Sequence, residues 1–294
     1  MISELLVKGT PLLFCALSFL VAWKAGVVNV GAEGQFLAGA LAAAAVATRL
    51  AAPGALVAAA ALAAGAAAGG LWAGLASWLV RRRGVLDVLA TILLNFVASG
   101  LVSVAVHGFL QERTRTFPQS DAVPEGARLP ILAAGTRLHA GVLIAAALAV
   151  VLAVFLRRTK AGFRLLAAGA GPRAAEFAGI DVPRVRGAAF VAAGAAAGIG
   201  GAVELLGVAG RLFDAFSPGY GYLGLAVAVV GQLSALGTAA AAAVFGLINV
   251  LSSALQRRAG VSAASALAIE GALVLAALAA PRLRRRRRRE ASAA

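Results

Sequence analysis

Very little in this chain can carry covalent or metal chemistry. Its 294 residues include one cysteine, one methionine, two histidines and twelve acidic side chains. A lone Cys15 cannot close an internal disulfide. Its surroundings, Leu12-Leu13-Phe14-Cys15, lack the small residues expected ahead of a lipidated cysteine, so it reads as a small apolar packing residue. His107 and His139 have no second metal-type ligand spaced around them and read as ordinary interfacial residues. No Gly-x-x-x-x-Gly-Lys-[Ser/Thr] phosphate loop occurs, so any ATP must be bound by another chain. No nucleophile–base set or metal cluster is present, which argues against an enzyme. Charge is scarce as well, at 13% of residues. A soluble domain carries about a quarter charged residues, so a water-exposed globule is excluded.

What is abundant is apolar sequence: 61% of residues are hydrophobic and the mean hydropathy is +0.91. With a span taken as ~20 residues, apolar runs fall near 5–23, 35–51, 54–80, 85–106, 138–156, 187–208, 220–235, 237–255 and 262–280. The fold class expected is therefore all-α. It is a polytopic helical membrane protein of about nine transmembrane helices, with one membrane domain over 1–281 and a basic tail over 282–294. No cleavable signal peptide is expected, because the first run leads into a glycine-rich break and not a small-residue cleavage site. Alanine and glycine dominate the runs, which suits closely approaching helices.

The net charge of +15 is concentrated where membrane topology, and not nucleic acid, would use it. Arg81-Arg82-Arg83 and the tail arginines (Arg282, Arg284 to Arg289) directly follow apolar runs. There they mark the cytoplasmic side and meet anionic headgroups. Residues 157–186 hold seven basic side chains, while residues 107–139 hold four. The first loop is thus expected inside and the second outside, with the C-terminus cytoplasmic and, after nine spans, the N-terminus external.

Between the first two runs lies Asn29-Val30-Gly31-Ala32-Glu33-Gly34-Gln35. Three of its seven residues are the polar Asn29, Glu33 and Gln35 and two are glycine, a composition that cannot face lipid as a regular helix. Irregular backbone at membrane depth must be buried in protein or line a wet cavity, and ionisable groups there mark solute or ion paths. This is read as a broken helix near the N-terminus. Asn29 and Gln35 offer donors and acceptors to a solute, while Glu33 either faces the cavity or satisfies local backbone N–H groups. Asn95 and Glu204 lie inside apolar runs, either lining a pathway or hydrogen bonding between helices. Tyr220 and Tyr222 either stack a base or sugar or anchor at the interface. Glu270 in the last run has no reading beyond interhelical pairing.

In the basic loop, Gly171-Pro172-Arg173-Ala174-Ala175-Glu176-Phe177-Ala178-Gly179 has proline at a first helical position and glycine past the end, the signature of a short helix. Ala174, Phe177 and Ala178 share a face. A two-turn helix needs packing, either on its own spans or on a cytoplasmic partner.

These segments resemble the permease subunit of bacterial ABC importers of the branched-chain amino acid, ribose and nucleoside group. The similarity rests on Asn29 to Gln35, Gly84 to Phe96, Thr159 to Ile180, Ala197 to Gly207 and Ser217 to Tyr222. The last two segments are closer to the nucleoside and simple-sugar branch. The resemblance implies a permease in the bacterial inner membrane, moving a nucleoside or simple sugar. It implies no cofactor of its own, a cytoplasmic ATPase subunit, a second permease subunit (paralogue or identical) and an external substrate-binding lipoprotein. It places ATPase coupling on the loop holding Arg164, Arg173, Glu176 and Phe177, while the exposed half-helix ends at the break are what point to it as the substrate pathway. Two departures stand out. Members of this branch usually carry one more helix ahead of the segment matching Ser3 to Pro11, and Gly231 to Gly237 lacks the Arg-Asn-Asn-Pro-like run of nucleoside members. The alternatives are a branched-chain amino acid permease of the same family, an autonomous channel or ion-coupled carrier, or a structural membrane partner.

Overall fold

Apolar runs of this length can satisfy their backbone polar groups away from water only as helices, and helices are what they form. The computed structural model describes residues 2–259 and, beyond them, residues 268, 271 and 272. Among the described residues there is no strand, only isolated bridges joining Gln119 to Phe213 and Ile131 to His139. The helices are α1 (Ile2–Lys24), α2 (Ala32–Arg49), α3 (Gly54–Arg83), α4 (Asp87–His107), α5 (Gly141–Arg158), α6 (Lys160–Ala170), α7 (Pro172–Phe177), α8 (Val182–Glu204), α9 (Tyr220–Val230) and α10 (Ala235–Ala259). A π turn at Leu205–Ala209 prolongs α8.

Six helices among the described residues are long and apolar enough to cross a membrane: α1, α3, α4, α5, α8 with its π turn, and α10. That is fewer than the nine expected from hydropathy. The run at 262–280, with Glu270, and the arginine tail lie outside the described residues. α2 is not among the six, because Glu33, Gln35 and Arg49 dilute its apolar content. α9 has only 11 residues, about 16 Å of helix against a hydrocarbon core of about 30 Å.

The N-terminal helix is the axis of the bundle. α1 packs against α5, α8, α9 and α10, and Phe14, Leu17 and Leu20 are wholly buried. Outward-facing Leu71, Phe96 and Val151 stay uncovered, as suits a surface solvated by lipid tails. α2, α3 and α8 form a second, tighter layer. Here Gly39, Gly65 and Gly69 meet Gly194 and Gly198, and a Cβ on Gly194 would strike the Gly69 carbonyl and the Ala73 side chain. Hydrogen in place of a methyl group lets these backbones touch, which supplies the dispersion contact that drives helix association in lipid.

The bundle has two unlike ends. One gathers Lys24, Arg81, Arg157, α6 and α7: Gly169 lies against the Lys24 carbonyl, and the Arg186 Nε donates to the Ala25 carbonyl at 3.3 Å. The other holds residues 108–140 folded onto the chain after α8. Leu129 N–H donates to Leu206 O at 3.1 Å, Ser120 N–H to Leu212 O at 2.7 Å, and Arg211 Nη1 pairs with Glu112 at 2.8 Å. The two loops that differ in charge therefore sit at opposite ends.

Candidate functional site

After α1 the chain turns at Gly26 (φ +77°) and runs without helix to Gly31. Asn29 holds this excursion. Its Oδ1 accepts from the Gly31 N–H at 2.9 Å and from Gln35 Nε2 at 3.0 Å, while its Nδ2 donates to Gln35 Oε1 at 3.0 Å. Ser18 Oγ adds a longer contact to the same Gln35 oxygen. Two amides facing each other reciprocally leave little bonding capacity for anything else, and both side chains are buried.

α2 then starts inside the bundle, where its first N–H groups need partners. Its N-cap is Gly31, which has no side chain to offer. Asn95, from the middle of α4, fills that role: its Oδ1 accepts the Gly34 N–H at 2.8 Å. The Asn95 Nδ2 donates to Val30 O at 3.0 Å and to the Tyr222 hydroxyl at 3.2 Å. Because α4 is one of the spanning helices and Asn95 lies eight residues from its start, the break sits about 12 Å along that helix, well inside the bundle.

α9 begins at the same depth with the same problem. Gly219, its N-cap, has φ +95° and no side chain. Ser217 Oγ accepts from the Gly219 and Tyr220 N–H groups at 3.3 and 3.2 Å. The Gly221 N–H donates to Glu33 Oε2 at 2.6 Å. A carboxylate at a helix N-terminus is favoured by hydrogen bonding and by the helix dipole. A Cβ at Gly221 would collide with the Glu33 backbone, so only glycine allows the two helix starts to meet. Glu33 thus satisfies backbone N–H groups, on α9 and not in its own segment.

Against this junction lies a cavity of about 150 Å³. Glu33, Asn95, Ser99, Ser217 and Tyr222 give it polar lining, and Phe96 and Phe216 give it aromatic walls. Such a lining offers neutral donors and acceptors beside flat apolar faces. Of the residues singled out from sequence, Glu33, Asn95 and Tyr222 border this space. Asn29 and Gln35 lie behind it in their closed pair. The Tyr220 ring packs edge-on to Phe36 at 5.6 Å. Glu204 is buried at the end of α8 and does not line this cavity; it is within electrostatic reach of Arg137, Lys8 and Tyr220. Sequence reasoning missed Ser99, Phe216 and Ser217. Ser99 was findable, since it follows Asn95 by four positions on one helix face. Ser217 opens the Ser-Pro-Gly stretch before α9.

Arg164 on α6 and Arg173, Glu176 and Phe177 on α7 are exposed at the basic end. α7 tucks Ala175 against Ala168 and Val182, so the face with Ala174, Phe177 and Ala178 points outward, and Phe177 is 94% exposed. His139 departs from the interfacial expectation. It is buried, with Nδ1 accepting the Gly141 N–H at 3.2 Å, because Gly141 and Gly207 leave room for its ring.

Residues 1–278 match the family model described as the branched-chain amino acid transport system / permease component. The chain is similar to the glucose ABC transporter permease protein TsgB13 of Haloferax volcanii, at 34% identity over 93% of this chain and 75% of the relative. It is similar to the guanosine ABC transporter permease protein NupP of Bacillus subtilis, at 30% identity over 85% of this chain and 72% of the relative. It also resembles the nucleoside ABC transporter permease protein NupB of Lactococcus lactis, at 30% identity over 84% and 71%. No solved structure matches.

Proposed function

Because the chain belongs to the permease-component family of the branched-chain amino acid transport system, we propose that it is the membrane subunit of an ATP-driven importer whose cargo is a nucleoside or simple sugar. It is a permease and not an enzyme. The observation that carries the cargo reading is the junction of α2, α4 and α9. Its lining is amide, hydroxyl and aromatic, and its one carboxylate is engaged with a backbone N–H. Hydroxyl-rich uncharged solutes suit such donors, and the named relatives carry glucose, guanosine and nucleosides. At about 150 Å³ the cavity is smaller than the 300–1,000 Å³ of typical ligand pockets, so passage requires α4 or α9 to shift.

The basic end is cytoplasmic in this reading, following the distribution of Lys and Arg. α1 then runs inward, ending with Lys24 at the basic end. Residues 25–49, and residues 210–230 ending in α9, make two broken traverses between the six full spans. Phe177 on α7 docks on a separate ATPase subunit, so that nucleotide-driven closure pulls on α6 and α8. An external binding lipoprotein delivers the cargo, and a second permease subunit completes the path, in a bacterial plasma membrane.

The test is co-expression with the ATPase and binding protein, followed by uptake of labelled nucleosides, hexoses, pentoses and branched-chain amino acids. ATP-dependent uptake of a nucleoside or sugar is expected. Uptake confined to branched-chain amino acids would overturn the cargo, and ion-driven uptake by this subunit alone would overturn the importer.

A further inference from the structure

Two furrows run along α8 on the outside of the bundle, and nothing in the transport reading uses them. One, of about 490 Å³, lies between α3 and α8, with Arg81 and Arg184 at its mouth. The other, of about 460 Å³, lies between α8 and α5, floored by α1 and closed by α6, with Arg164 at its mouth. The two share Ala188 and Ala192, exposed on the ridge between them. Their walls are almost wholly aliphatic, and polarity is confined to the basic end.

We propose that a two-chain anionic phospholipid straddles α8, with its phosphate held by Arg81 and Arg184 and one acyl chain in each furrow. The proposal rests on the reading of the bundle as membrane-embedded with its basic end at a headgroup layer. Three features select this occupant. First, the charges complement a phosphate. Arg184 is shared with Asp181 at 3.0 Å, while among the described residues Arg81 bonds only through Nε to the Ser77 carbonyl at 3.4 Å. Guanidinium N–H groups therefore remain for phosphate oxygens, which Arg meets bidentately. Second, the length fits. Arg184 and Ala196 are twelve residues apart on α8, about 18 Å, comparable to one leaflet of a hydrocarbon core about 30 Å thick. Third, the chief competitor is disfavoured. A second copy related by two-fold symmetry would set this patch against itself and bring the arginine rims together, a like-charge juxtaposition that opposes association.

The furrows exist because α8 places alanine where leucine would fill them. Small residues within the bundle serve helix contact; Ala188 and Ala192 are exposed and line both furrows. Basic pockets between transmembrane helices near the cytoplasmic face are the kind of site that holds anionic lipid.

The test uses the full chain released from membranes in mild detergent and mixed with defined lipids, read by native mass spectrometry. Phosphatidylglycerol is expected to stay bound and phosphatidylcholine to be lost. Arg81→Gln with Arg184→Gln should retain about 30-fold less phosphatidylglycerol, the effect of removing two basic contacts to an anionic surface. Ala188→Leu with Ala192→Leu, which leaves every charge in place, should release both lipids. Equal retention of the two lipids, or no response to either pair of substitutions, would overturn the proposal. So would a dimer that excludes lipid and falls apart when Ala188 and Ala192 are enlarged. The readout involves no transport, so a wrong cargo or a missing ATPase would leave it unchanged.

Discussion

Replacing Glu33 with alanine puts the helix-junction argument at greatest risk. In the folded chain the Glu33 carboxylate takes the Gly221 N–H at 2.6 Å at the start of α9. A hydrogen bond to a charged group is worth about 1.5–3 kcal/mol. A carboxylate facing a helix N-terminus adds about 0.3–1 kcal/mol. Ser217 still accepts from Gly219 and Tyr220, so α9 keeps part of its cap. The expected loss is therefore about 2–4 kcal/mol, or about 30- to 800-fold in the balance between a seated and an unseated α9. Glu33→Gln keeps a neutral acceptor, worth about 1 kcal/mol, and should fall between the two. The assay compares initial uptake rates at matched amounts of membrane-inserted protein, alongside thermal unfolding of the purified chain. Uptake should collapse in the alanine variant and recover partly in the glutamine variant, while insertion holds. Wild-type uptake and melting in Glu33→Ala would refute the reasoning. Loss of insertion alone would reduce Glu33 to a folding residue.

Three further outcomes follow from the same contacts. Asn29→Ala leaves the buried Gln35 Nε2 without its acceptor and Gln35 Oε1 with only the longer Ser18 contact, at about 1–3 kcal/mol for the unmet donor; melting of purified protein should fall accordingly, and an unchanged melting curve would refute the reciprocal pair. Phe177→Asp leaves the Ala175 face of α7 seated, so the protein should insert normally while ATP hydrolysis continues without uptake; normal ATP-driven uptake would dismiss the docking surface. At the opposite end, the Glu112 carboxyl is held below its ordinary range, first by the Gln119 amide, then by the Phe117 N–H and the Arg211 guanidinium. A value lowered by folding contributes stability above the unfolded value of ~4.3 and loses it as pH falls through the folded value. Protection factors across residues 108–140, taken relative to the intrinsic exchange rate at each pH, should therefore fall on acidification from pH 7 through that range, and Glu112→Gln should flatten the response.

The sequence by itself determined that this is a helical membrane protein. Span-length apolar runs with so few charges have no other way to satisfy their backbone groups. It determined as well that the two large loops differ in charge, and that a polar break follows the first helix. It revealed the short helix at Pro172–Phe177, because proline and glycine punctuate locally. The number of full spans was less legible. Hydropathy registers the apolar runs of α2 and α9 but not that each helix begins deep in the bundle, since depth is a relation between segments. Tertiary structure alone decided the roles of the polar residues. Glu33 and Gly221 lie 188 positions apart, and Gly34 and Asn95 lie 61 apart; no local periodicity links them. Asn29 and Gln35, which looked equally available to a solute, close on each other, while Glu204 does not line the cavity. A polar side chain in an apolar run signals that a partner exists. Which partner it finds is set by the close approach of α2, α4 and α9, and glycine at positions 34 and 221 permits that approach only once the helices are packed.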